Sequence, residues 1–151
     1  MKKALDLLME KNREMITVAP ETTLFDAVRI MVENDIGAIV VKEGEEVIGI
    51  WTERDLLRQS VQENFNLKTA VIKDYMSRDL KTAPASEPIY KLQDTISGLY
   101  IRHLFITCEG KIIGLLSAGD IARACLVERA REMDSISWEY YENWRWEKKR
   151  R

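Results

Sequence analysis

The chain has 151 residues, 46% of them hydrophobic, enough for one domain or two very small ones. Its formal net charge of −2 gives no overall attraction to nucleic acid. Two cysteines (Cys108, Cys125) and a single histidine (His103) exclude a disulfide scaffold and, lacking metal-ligand spacing, a structural zinc site, so free thiols and a cytoplasmic location are expected.

The chain opens with "MKKALDLLMEK", where Asp6 and Glu10 fall in what would be the apolar core of a signal peptide. Apolar runs elsewhere are only a few residues long, so no segment is expected to enter or cross a membrane. Leu5, Leu8 and Met9 suggest an amphipathic helix within residues 1–15 that needs a partner surface.

From Ile16 the sequence repeats itself. "TVAPETTLFDAVRIMVENDIGAIVVKEGEEVIGIWTERDLLR" aligns with "KTAPASEPIYKLQDTISGLYIRHLFITCEGKIIGLLSAGDIAR". The Ala-Pro pairs match at an offset of 64, whereas Ile36 with Ile101, Gly49 with Gly114 and Asp55 with Asp120 match at 65, which predicts one extra residue near the end of the first helix of copy two. Each copy reads strand, helix, strand, strand, helix. Short strands at Ile16–Val18 and Leu80–Thr82 lead in. Leu24, Val28 and Met31 then lie at helical spacing behind Thr23 as a cap. "IGAIVV" turns at "KEGEE" into "VIGIW", and "HLFIT" turns at "CEGK" into "IIGLL", the pattern of neighbouring strands covered on both faces. One copy is too small to bury its own sheet, so the two are expected to pack about a pseudo-two-fold axis with ligand clefts between them.

The second helix of each copy begins with a hydroxyl and a carboxylate three residues apart: Thr52-x-x-Asp55 and Ser117-x-x-Asp120. This is the spacing of a capping box, and Thr23-x-x-Asp26 repeats it where no ligand is expected. The recurrence of the first two motifs at matching places, each after a glycine and two apolar residues, opens a second reading, a grip for a ligand. Cap and grip are compatible.

The tandem of "VIGIWTERDL" and "IIGLLSAGDI", with "IGAIVV" and "IRHLFI" upstream, resembles a pair of cystathionine β-synthase (CBS) domains, a Bateman module, over about Ile16 to Val127. The resemblance implies an α+β fold of two pseudo-symmetric repeats, each a small sheet with two helices, to which the helical spacing of apolar residues at either end adds helical N- and C-terminal extensions. The segments are then 1–15, a first repeat at 16–66, a linker and second repeat at 67–127, and a tail at 128–151. It implies clefts for an adenosine nucleotide (AMP, ADP or ATP; less often S-adenosylmethionine or NAD). The motif carboxylate, Asp55 or Asp120, would take the ribose hydroxyls, and Thr52 or Ser117 would meet phosphate. A carboxylate accepts two hydroxyl hydrogens, so the chemistry agrees. Family members often place basic residues just before the central strand. Copy two has Arg102 and His103 there; copy one has Gly37 and Ala38, and relies on Arg54 or on Lys81 of the neighbouring copy. A structural histidine and a surface ion pair are the bland accounts of His103 and Arg54. The cleft of copy two is expected to be more basic and to bind more tightly. The leading strands nominate Ile16 and Thr17 for one adenine, and Leu80, Lys81 and Thr82 for the other.

Beyond Val127, Met133, Ile136, Tyr140 and Trp144 recur at helical spacing, and Tyr141–Arg151 holds five basic against two acidic residues. A helical tail packing on the body or on a second subunit is expected; the basic cluster is too short for a nucleic-acid reading. No nucleophile, base and orienter can be assembled, so the chain is read as not an enzyme. It reads as a homodimeric regulatory nucleotide-binding module with an unidentified protein partner. The alternative is a dimeric interaction scaffold with vestigial clefts.

Overall fold

The computed structural model describes residues 1–133. The expectations for the aromatic and basic tail lie outside the described residues. Among these the elements are α1 (Ala4–Lys11), β1 (Thr17–Val18), α2 (Leu24–Glu33), β2 (Ala38–Glu43), β3 (Glu46–Thr52), α3 (Glu53–Gln59), a 3₁₀ turn (Ile72–Asp74), β4 (Thr82–Pro84), α4 (Ile89–Leu99), β5 (His103–Cys108), β6 (Lys111–Ser117) and α5 (Ala118–Met133). The order strand, helix, strand, strand, helix holds twice, giving an α+β fold with two three-stranded sheets, β1-β2-β3 and β4-β5-β6.

Both sheets are mixed and share one register. β1 runs parallel to β2 (Thr17 opposite Val40), and β4 parallel to β5 (Thr82 opposite Phe105). The hairpins are antiparallel, Ala38 opposite Thr52 and His103 opposite Ser117, with a bulge after Val41 and after Ile106. These pairs are all 65 residues apart, as are the helix caps Thr23 and Pro88. The Ala-Pro match at 64 is therefore a coincidence of sequence: Pro20 corresponds to Ala85, and no extra residue enters the helix of copy two. The leading strand of copy two consequently starts at Thr82, leaving Leu80 and Lys81 ahead of it.

The described residues form two compact units. One is Arg13–Lys81; the other joins Met1–Asn12 to residues 82–133. In the Arg13–Lys81 unit, Leu24, Ala27 and Met31 of α2 meet Ile39, Val41 and Trp51 of the sheet, with Ile72 and Met76 closing the core. The Trp51 indole donates to Gln59 Oε1 at 2.8 Å, so its polar edge is satisfied although the ring is buried. In the other unit Ile89, Leu92 and Ile96 of α4, Leu104, Ile106 and Leu116 of the sheet and Ile121 of α5 form the core, completed by Ala4 and Leu7 of α1.

The partner surface for the N-terminal helix is thus copy two. Ala4 N donates to Glu87 O and Leu5 N to Ala85 O, while in the other unit Ile72 N donates to Thr22 O and Lys73 N to Pro20 O. Residues 2–8 stand to copy two as residues 70–76 stand to copy one. The buried face of α1 differs from the expected one. Ala4 and Leu7 are buried with Leu8 packed beside them, whereas Leu5 and Met9 are exposed, because positions 4, 7, 8 and 11 share the face turned to copy two.

Candidate functional site

Each repeat ends its hairpin on the hydroxyl residue of the motif. Thr52 closes β3 and caps α3; Ser117 closes β6 and precedes α5. In copy one the Thr52 amide and hydroxyl both donate to Asp55 Oδ2 at 2.9 Å, and Asp55 N donates back to Thr52 Oγ1 at 3.3 Å. In copy two the Ser117 amide donates to Asp120 Oδ2 at 2.9 Å and its hydroxyl at 2.8 Å, and Asp120 N returns a 3.1 Å bond to Ser117 Oγ. The capping reading is correct for both motifs. Each carboxylate is held by two local donors with its side chain still partly open to solvent. At Thr23 the box differs: the hydroxyl donates to Asp26 Oδ2 at 2.9 Å, and Asp26 Oδ1 pairs with Arg29 at 3.1 Å.

The residues before the central strands adjoin these motifs. Gly37 O accepts from Glu53 N at 3.0 Å, and Arg102 O accepts from Ala118 N at 2.8 Å, one bond in two copies. A Cβ at position 37 would collide with Oε1 of Glu53, so copy one carries an acid where copy two carries Arg102. Ala38 and His103 pair across the hairpins with Thr52 and Ser117. β1 lies beyond β2 from the motif, and Ile16 O accepts from Val40 N at 3.2 Å beside Thr17. The Arg13–Lys81 unit therefore holds Ile16, Thr17, Gly37, Ala38, Thr52, Arg54, Asp55, Leu80 and Lys81, and the other holds Thr82, Arg102, His103, Ser117 and Asp120. Lys81 is engaged locally, its amine 2.6 Å from Asp79 Oδ2.

His103 does not supply the expected positive charge. Burial, with the Lys11 and Arg102 cations beside it, outweighs the Asp120 carboxylate and lowers its pKa to about 4, so the ring is neutral at pH 7. Lys11 is the residue the sequence reading missed. Its amine donates to Asp120 Oδ2 at 2.8 Å and to Leu115 O at 3.0 Å, across 109 and 104 positions of chain. Burial pushes the Asp120 carboxyl up, but the Lys11 and Ser117 hydrogen bonds and the Lys11 charge prevail and hold it below the usual carboxylate range. No helical periodicity announces such a pair; only the docking of α1 creates it.

Among the described residues no cluster of histidine, cysteine and carboxylates could hold a metal ion, and no helix is long and apolar enough to cross a membrane. Cys108 and Cys125 are free thiols.

The sequence matches the CBS domain family model twice, over residues 3–62 and 72–127. Both matches begin at the segments that dock on the sheets, Lys3 in α1's cap and Ile72 in the 3₁₀ turn. The chain is 30% identical over 122 residues to a mitochondrial CBS domain-containing protein of Arabidopsis thaliana, a match covering 78% of this chain and 59% of that protein. A CBS-domain containing protein from Agrobacterium tumefaciens superposes with a TM-score of 0.77 at 26% identity, over 82% of this chain and 99% of that one. A CBS domain protein from Pyrobaculum aerophilum shares the fold, with a TM-score of 0.72 at 20% identity, over 86% of this chain and 99% of that one. Two family matches, two sheets in one register and two copies of the capped carboxylate place the chain in the CBS domain family, as a tandem pair of CBS repeats forming a Bateman module.

Proposed function

We propose that this CBS pair is a regulatory module that binds an adenosine nucleotide, AMP, ADP or ATP, and acts through a protein partner rather than by catalysis. The observation that carries the reading is the duplicated carboxylate, Asp55 and Asp120, each aimed by the amide and hydroxyl of its own motif. A carboxylate so fixed loses little further freedom when it accepts the two hydroxyls of a ribose. Arg102 and the N-terminal turn of the long helix α5 would favour an anionic group beside Asp120. The Pyrobaculum structure is of a protein complexed with AMP. Another structural neighbour, 20% identical with a TM-score of 0.72, is a CBS domain pair in complex with 5-methylthioadenosine and S-adenosylmethionine. In this reading Thr52 and Ser117 serve phosphate, and the backbone of Ile16 and Thr17 and of Leu80 to Thr82 serves adenine.

A homodimer in the cytoplasm is part of the same proposal. Val32 and Leu57 in one unit and Leu99 in the other expose apolar side chains on helices, surface that a second copy would cover. Light scattering that finds a monomer at micromolar concentration removes that part.

The scaffold reading draws support from one feature: both capping boxes are complete without a ligand. Mass spectrometry of small molecules released from purified protein, followed by melting curves with AMP, ADP and ATP, separates the two readings. A ligand that binds the folded chain alone raises the melting temperature. If ligand-free protein shows no shift and no calorimetric heat with any of the three at millimolar concentration, the scaffold reading replaces this one.

A further inference from the structure

Although the two motifs share one geometry, their carboxylates have different neighbours. The edge of β3 in copy one is closed by backbone: Ile50 N donates to Ser77 O at 3.0 Å, and Ser77 N donates to Ile50 O at 2.8 Å. The matching position in copy two is Leu115, and its carbonyl accepts from the Lys11 side chain at 3.0 Å. The chain there is still in helix α1, with Lys11 as its last residue, so no extended backbone is at hand and the lysine reaches across in its place. The same amine then lies 2.8 Å from Asp120 Oδ2, which already accepts the Ser117 amide and hydroxyl. Three donors converge on one oxygen. Asp55 Oδ2 has the matching two from Thr52.

The geometry points to Lys11 as the residue that sets the ribose affinity of copy two. The inference rests on the reading of Asp120 as a ribose acceptor. A diol arriving there must displace the lysine amine or share an oxygen with it. Displacement breaks a partly buried ion pair and frees the Leu115 carbonyl at the same moment. In copy one the backbone of Ser77 takes the place that the Lys11 amine takes in copy two, and Glu53 lies where copy two carries Arg102. The motif that looks more basic in sequence is therefore the weaker ribose site. Because the competitor is a side chain of α1, any event that lifts this helix from β6 opens the carboxylate of copy two, and ribose binding there loosens the helix in return.

The test uses the full chain and adenosine, whose neutrality removes any phosphate attraction to Lys11. Asp55→Asn disables the motif of copy one, so calorimetry then reports Asp120. In that background Lys11→Met, which keeps the stem and the helix propensity, is expected to bind adenosine about tenfold more tightly than the Lys11 parent. Lys11→Arg, which keeps a cation at the carboxylate, is expected to bind like the parent. Equal affinity in parent and Lys11→Met, or weaker binding in Lys11→Met, overturns the proposal while AMP binding by the unmodified chain leaves the nucleotide reading standing. If no variant binds adenosine or AMP at millimolar concentration, the nucleotide reading falls and this one with it. A ligand-free check bears on the contact itself. NMR titration of the Asp120 carboxyl is expected to show a higher pKa in Lys11→Met, and an unchanged value means the pair is not formed and also overturns the proposal.

Discussion

Leu8 lies over Gly114: a Cβ built on that glycine would stand 2.6 Å from the leucine Cδ2 and 2.8 Å from Cδ1. Met76 covers Gly49 in the same way, its Cγ 2.8 Å from the Cβ that copy one lacks. The glycine that precedes each hydroxyl motif is thus a packing requirement, the floor on which the preceding segment of chain rests. Gly114→Ala is expected to destabilise by about 1 to 2 kcal/mol, since Leu8 must turn away from a filled core. Leu8→Ala alone should cost more than that, and the double variant less than the sum of the two. Chemical denaturation of all four proteins measures the coupling; strict additivity shows that the contact is absent.

Replacing either motif aspartate by asparagine separates cap from grip. Asn retains capping ability, so stability should fall by about 1 kcal/mol or less at Asp55. It should fall further at Asp120, by roughly 1 to 2 kcal/mol, because Lys11 loses its charged partner there. Nucleotide affinity should drop about tenfold to a hundredfold at the altered motif. Thermal melts and calorimetry read the two effects independently, and unchanged affinity in both variants makes the residues caps alone.

Thr23→Ala is the matching control. Its hydroxyl accepts from Asp26 N at 3.1 Å at the start of α2. Loss of that cap should cost about 1 kcal/mol and leave nucleotide affinity unaltered. An affinity loss comparable to that of Asp55→Asn would implicate general loosening of the repeat.

Acid should weaken the fold in two windows. His103 has a folded pKa of about 4 against an ordinary 6.5, so between these values the unfolded chain binds a proton that the folded chain refuses. Stability therefore falls as the pH drops from 6.5 towards 4, by on the order of 2 kcal/mol for a largely covered ring. Asp120 acts at lower pH. Its depressed carboxyl contributes stability that is complete above the ordinary value of 3.8 and is lost as the pH falls through the folded value. Denaturation midpoints at a series of pH values, compared with His103→Gln, check the first window; an unaltered slope between pH 4 and 6.5 in that variant refutes it.

The sequence by itself determined the repeat, the order of elements and both capped carboxylates. Each of these is written in neighbours a few positions apart: the alternation of apolar runs and turns, the hydroxyl three residues before the acid, the cap at Thr23. The family followed from the same local motifs. Register was harder. The Ala-Pro pairs suggested an inserted residue, whereas hydrogen bonding across the strands shows one offset of 65 from Thr17 to Asp55, because ladders compare backbone positions and are indifferent to which residue type happens to recur. Only the tertiary structure decided which repeat receives α1, which face of that helix is buried, and that Lys11 meets Asp120, 109 positions along the chain. Only the fold, through burial and the Lys11 and Arg102 cations it brings near, lowers the His103 pKa to about 4. Desolvation and long-range ion pairing depend on what the fold brings near, and no spacing along the chain encodes that directly.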